Sequence, residues 1–221
     1  GLWEIARSHA EKSPSEEARL VILESYASEE NWDAVAAKLK QWGESLSSPR
    51  FGYYASVVAG EFDKAAEFLR KSGTVAGEAA AKMLEADLFR RKGDFESARS
   101  LWRSVVAMTN VGERAFAAAS INLGDIPGLR KAYEAVTSLD IRRMVGLKLG
   151  SELVQSGKTA AEGEELIRKI VRDCPDAEGA RDAFIALAAS AAAAGRWRQA
   201  ADDYRDAVEI WPDAAKRYDL Q

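Results

Sequence analysis

Along this chain, apolar and small residues recur at intervals of three and four, the spacing of one helical face. Each run stops at a small or turn-forming residue and resumes after a short linker with another apolar residue. The stops read Glu30-Asn-Trp32, Gly60-Glu-Phe62, Gly93-Asp-Phe95, Gly124-Asp-Ile126, Gly157-Lys-Thr-Ala160 and Gly195-Arg-Trp197. Steps between the resuming residues are 30, 33, 31, 34 and 37 positions. A period of about 34 over most of a chain marks one supersecondary unit repeated, and 3.6-residue periodicity throughout makes that unit helical. The expected fold class is therefore all-α.

The last repeat sets the register. Phe184, Leu187, Ala188 and Ala191 lie on one helical face that stops at Gly195; a second helix carries Trp197, Ala200, Tyr204, Ala207, Val208 and Trp211 before Pro212. Two short helices joined by a tight turn form an antiparallel hairpin, which cannot bury both apolar faces without a neighbour. The order Phe184, Leu187, Ala188, Gly195, Trp197, Ala200, Tyr204, Ala207, Pro212 resembles the tetratricopeptide repeat, with Ala191 where an aromatic is usual. The third repeat resembles it too, through Ala86, Phe89, Gly93, Phe95, Ala98 and Trp102; its two alanines would let the helices approach while the aromatics fill the space around them. The resemblance implies a right-handed α-α superhelix, a solenoid of antiparallel hairpins. It is read as a single domain over residues 1–221, with a partial unit at 2–12, six repeats at about 15–45, 48–73, 76–109, 111–138, 140–175 and 178–212, and the start of a polar cap at 213–221.

The repeats are uneven. Repeat one has Glu30 where a turn glycine is expected. In repeat two, Pro49 restricts the first helix to about Arg50 through Ala59, one turn short. Repeat four places Pro127 in the first turn of its second helix, where a missing amide costs little. Repeat five has one extra turn residue, and the connection Asp173 to Glu178 is longer than its counterparts.

Composition narrows the partners. Charged residues make up 30% of the 221 positions with a formal charge of −4, and both signs are interspersed, so no basic field exists for a phosphate backbone and nucleic acid is not expected. No stretch reaches the ~20 apolar residues needed to span a bilayer, so this chain is not expected to insert into a membrane. The start at Gly-Leu-Trp in place of Met suggests a piece cut from a longer chain, whose removed front could have held a signal or membrane anchor; compartment is left open.

Nothing in the sequence calls for catalysis, a cofactor or a metal. His9, the sole histidine, falls in the terminal helix, and Cys174, the sole cysteine, lies among Asp173, Pro175 and Asp176, acids that oppose thiolate formation. One histidine and one cysteine far apart give no zinc spacing. The acidic pairs Glu16-Glu17, Glu164-Glu165 and Asp202-Asp203 read as solvated residues near helix starts. The expected function is a non-enzymatic protein-interaction module or scaffold; the alternative is an assembly subunit that packs on itself or on a neighbouring domain.

In tetratricopeptide arrays the first helices line a concave groove. The resemblance places Glu24, Arg50, Tyr54, Met83, Asp87, Arg90, Arg114, Lys148, Glu152, Gln155 and Asp182 there. Arg50, Arg114 and Lys148 occupy equivalent positions, with Met83 between, and a cationic row beside an aromatic suits an extended peptide with acidic residues or a free carboxylate. Of Phe51, Tyr53 and Tyr54, either Phe51 or Tyr53 is expected in the core and Tyr54 at the surface as an anchor. The asparagine-and-lysine clamp of some family members is not matched, and oligomeric state is open.

Overall fold

A computed structural model describes residues 2–13, 15–42, 49–177 and 179–212, with the backbone alone at residues 2 and 3. The expected cap at 213–221 lies outside the described residues, as does the link at 43–48 between repeats one and two. The chain forms two compact bodies, Gly1–Val111 and Gly112–Gln221. The described residues are all helix and connection, without a strand.

In the N-terminal body the helices are α1 (Leu2–Ala10), α2 (Glu16–Ser28), α3 (Trp32–Trp42), α4 (Pro49–Val58), α5 (Phe62–Arg70), α6 (Val75–Arg91) and α7 (Phe95–Val106). The C-terminal body holds α8 (Glu113–Leu123), α9 (Ile126–Ala135), α10 (Leu139–Gln155), α11 (Ala160–Asp173), α12 (Ala180–Ala193) and α13 (Trp197–Ile210). Within each body every helix packs on its chain neighbours. The first helices also meet one another at α2 with α4, α8 with α10, and α10 with α12. Pro49 opens α4, and Pro127 sits in the first turn of α9, as their missing amides favour.

The recurring stop in the sequence is a recurring backbone closure. Glu30, Gly60, Gly93 and Gly195 all adopt left-handed φ, between 56° and 82°. In each turn the next amide donates back across the helix end, Asn31 to Tyr26 at 2.9 Å, Glu61 to Ser56 at 2.8 Å, Asp94 to Phe89 at 2.9 Å and Arg196 to Ala191 at 2.9 Å. This is the Schellman closure, which satisfies carbonyls the helix leaves without partners. Glu30 thus takes the glycine conformation without the glycine, at a steric cost its Cβ imposes. Side chains then start the next helix. Asn31 accepts from the Ala34 amide at 3.1 Å, Asp94 from Ser97 at 3.1 Å and Asp125 from Gly128 at 2.8 Å. The Gly157 turn differs, with Lys158 donating to Ser156 at 2.9 Å, where the extra residue is accommodated.

The core follows the helical stripes. In the N-terminal body Leu20, Leu23, Val35, Phe51 and Tyr54 form one cluster; in the C-terminal body Leu129, Val145, Leu149 and Leu153 form another, and Ile167, Phe184 and Leu187 belong to a third. Small residues set the closest approach. A Cβ on Gly163 of α11 would lie 2.5 Å from the Gly150 carbonyl oxygen of α10, so these two backbones meet because neither has a side chain. Ala86 of α6, Ala98 of α7 and Ala188 of α12 are fully buried, and Ala200 of α13 is nearly so.

The aromatics that resume each run do not all fill the core. Trp197 is 70% exposed and Phe95 58%, and Phe89 is also exposed, whereas Trp102, Ala200 and Ala207 are buried. Phe95 and Trp197 are the first residues of their helices. A helical Cα–Cβ bond tilts toward the N-terminus, so a side chain there overhangs the turn instead of meeting the adjacent helix.

Candidate functional site

The residues expected to line a groove fall into local groups, and most of the charged ones are paired. In the N-terminal body Arg50 of α4 is ion-paired with Glu24 of α2. On α6, Asp87 accepts from Arg90 Nε at 3.1 Å and Arg91 Nε at 2.8 Å. Burial raises the Asp87 carboxyl, but the hydrogen bond from Arg90 and the two guanidinium charges outweigh it and hold the group below the usual carboxylate range. Met83 is half-buried on the same helix. In the C-terminal body Lys148 and Glu152 pair at 2.6 Å along α10, over the left-handed turn at Gly124. Gln155 and Arg114 are exposed, as is Asp182, which lies 3.6 Å from Arg181. Arg50 and Lys148 are therefore half of local charge pairs and not bare cations.

The aromatic assignment is corrected at Tyr54. Phe51 is 2% exposed and Tyr54 7%, while Tyr53 is half-buried. Residues three apart share a helix face, so Phe51 and Tyr54 turn inward together. Tyr54 is not a surface anchor. Its ring meets that of Tyr53 edge to face, centroids 5.1 Å apart. Burial raises the Tyr54 phenol well above its ordinary value, the Glu24 charge adds to this, and Arg50 opposes it. The group is a neutral O–H donor across the working pH range, and it makes no hydrogen bond among the described residues.

These residues converge on one feature. A recess of about 370 Å³ opens between α4 and α6, with Glu24, Arg50, Tyr53 and Tyr54 on one side and Thr74, Ala76 and Ala80 on the other. Phe68 and Leu69 of α5 line it as well. Gly52 brings Phe68 in: a Cβ there would fall 2.5 Å from the ring. The Lys71 ammonium lies 4.5 Å from the centroid of the same ring. Thr74 caps α6, accepting from the Gly77 amide at 3.0 Å, so the positive end of that helix borders the recess. A mostly apolar wall with few polar groups is the usual make-up of a ligand pocket.

No protein-family model matches this chain, and no curated protein matches it.

Several of the remaining charged residues tie helices together. Asp203 is corrected from a solvated residue to a buried one, 3% exposed in mid-α13, held by both guanidinium nitrogens of Arg168 at 2.6 and 2.7 Å. Glu164 accepts from Arg196 at 2.7 Å and Gln199 at 3.1 Å, and Glu162 takes a bidentate contact from Arg130 at 2.6 Å. Glu16 and Glu17 do lie in the first turn of α2. Sequence reading missed this lacing of α9, α11 and α13, because its partners stand 32 to 35 residues apart; a charge of each sign recurring at the repeat period was the available signal. Glu113 accepts from the Thr137 amide and hydroxyl at 2.9 and 2.6 Å and from the Ser138 amide at 3.1 Å, capping the approach to α10. Those bonds, led by the Thr137 hydroxyl, lower its carboxyl from the usual glutamate value. His9 is exposed on α1, and Cys174 is half-buried and free at the end of α11. Among the described residues no group of three His, Cys, Asp or Glu side chains could hold a metal, and no helix is long and apolar enough to cross a membrane.

Proposed function

We propose that this chain is a non-enzymatic interaction module whose bodies are short runs of tetratricopeptide-like hairpins, stacked with right-handed sense, that recognise a protein or peptide on their first helices. The observation that carries this reading is the recess between α4 and α6, an apolar hollow with a charged pair and two phenols beside it, at a position where register placed the groove. Four identical turn closures support the repeat reading, because one hairpin geometry recurs with different side chains. The shifted carboxylates Asp87, Asp94, Glu113, Glu162 and Glu164 each serve a cap, a connection or an ion pair, a structural use of charge. Preformed helices give up little conformational freedom on binding, which suits recognition.

The test is a peptide array probed with the intact chain and with an Arg50→Gln/Arg114→Gln/Lys148→Gln variant. Loss of acidic peptides from the bound set by a variant with unchanged circular dichroism is the expected result. An unchanged set removes these cations from the binding surface.

One observation favours assembly as a second reading. Trp197 stands 70% exposed beside an open hollow lined by Arg168, Arg198 and Asp206, a surface suited to a neighbouring copy or domain. Light scattering across a concentration series, with Trp197→Ala as control, decides this: a monomer at every concentration opposes self-assembly.

A further inference from the structure

Charge on α13 runs against the helix that carries it. A helix favours acids in its first turn and bases in its last, yet α13 has neither, and no side chain caps its start. Arg198 stands in the first turn instead, and Glu209 in the last. Both are exposed, and neither has an ion-pair partner among the described residues. Between them Asp202 and Arg205 are exposed and paired with each other at 3.1 Å. The four residues stand four, three and four places apart, so they form one stripe along the outer face, turned away from the buried Ala200, Asp203 and Ala207. The backbone of α13 lies close to that of α12 alone among the described residues, which leaves the stripe uncovered.

From N- to C-terminus the stripe is plus, minus, plus, minus. An antiparallel copy presents the reverse order, so Arg198 meets Glu209 and Asp202 meets Arg205, and no like charges face each other. A parallel copy in the same register sets like against like at all four places. The antiparallel arrangement also brings Glu209 to the positive end of the other helix and Arg198 to its negative end, which removes the conflict with the macrodipole. Apolar contact comes from Trp197, 70% exposed, with Ala201 and Val208 along the same flank of the stripe. Two-fold symmetry brings like flank to like flank, so Trp197 falls close to Val208 of the second copy, and one indole closes each end of the seam. The stripe is about 17 Å long at 1.5 Å per residue. That is short of a standard interface, so the association is weak and depends on concentration.

Resting on the assembly reading, we infer that α13 is a self-docking helix: a second copy of this chain lies antiparallel along Arg198, Asp202, Arg205 and Glu209 about a two-fold axis. The ion pairs set register and orientation, and the covered Trp197 supplies contact.

Sedimentation equilibrium of the full chain at up to about 1 mM reads the dimer dissociation constant. Arg198→Glu and Glu209→Arg each turn two attractions per dimer into two repulsions, and each alone is expected to raise that constant about tenfold. An equimolar mixture of the two variants is expected to associate as the unchanged chain does, because every reversed site then meets its opposite. Arg198→Glu/Glu209→Arg in one chain is expected to do the same. Recovery in the mixture excludes a folding defect as the cause of the single losses. Association of both single variants at unchanged strength, or a mixture as weak as either variant alone, overturns the α13 contact while the assembly reading stands. A chain that is monomeric at every concentration removes both.

Discussion

Glu30 shows how a single residue can carry a conformation its chemistry does not favour. With φ of 56° and an exposed side chain, it holds the place that glycine fills at residues 60, 93 and 195. Glu30→Gly is expected to stabilise the protein by about 1 kcal/mol, the left-handed penalty less the added freedom of the unfolded chain, read as a higher urea midpoint at unchanged m. The Arg168–Asp203 pair is the opposite case, a residue that cannot lose its partner. Arg168→Met leaves a carboxylate that is 3% exposed without its cation, and a loss of about 2 kcal/mol is expected, below the full buried-pair penalty because Arg168 itself reaches solvent. Adding Asp203→Leu should restore much of that loss, which a double-mutant cycle checks. The turn positions were legible in sequence because φ > 0 selects residue type. The ion pair was not, since neither member signals a partner 35 residues away, and the Asp202-Asp203 doublet reads as surface until a neighbouring helix is in place.

Helices here are positioned by what is absent from their surfaces and by what caps their ends. Gly150 and Gly163 let α10 and α11 touch backbone to backbone, so Gly163→Ala must displace one of them. A loss of about 1–3 kcal/mol is expected by denaturant unfolding, with nothing comparable from a surface alanine on the same helix. Glu113 acts at the other kind of position, joining the start of α8 to the start of α10. Its folded-state pKa is depressed, so its contribution is present above the unfolded glutamate value of about 4.3 and is lost as pH falls through the lower folded value. The stability difference between the protein and Glu113→Gln is therefore expected to be constant near neutrality and to shrink toward zero below about pH 4, measured by urea titrations at several pH values. Element order was readable from the stripes and stops, including the short α4 behind Pro49. Helix rotation was less so. Phe51, Tyr53 and Tyr54 are all aromatic, and which two turn inward depends on the faces α2 and α3 present to them.

At the scale of the whole chain, contacts are local in order. Every helix pair in contact among the described residues is one or two places apart along the sequence. Stability in such an arrangement is close to a sum of unit and nearest-neighbour terms, so damage spreads a short way. Gly163→Ala is expected to speed amide exchange in α9 through α12 while α2 through α5 keep their rates, an outcome hydrogen exchange by mass spectrometry resolves. The same locality explains how far function could be read. Hairpin-forming residues repeat and are visible as a period, whereas the recess depends on one shortened helix, one glycine under an aromatic ring and one buried phenol, none of which repeats. The left-handed turns have a further consequence for chemistry on this molecule. At Gly60, Gly93 and Gly195 a Cβ would meet nothing within 4 Å, so the sole obstacle to a side chain is handedness. A D-alanine introduced there by peptide ligation carries the opposite handedness and sits in its own preferred basin, so these three corners are places where a mirror-image residue, or a label built on one, strengthens the fold by restricting the unfolded chain.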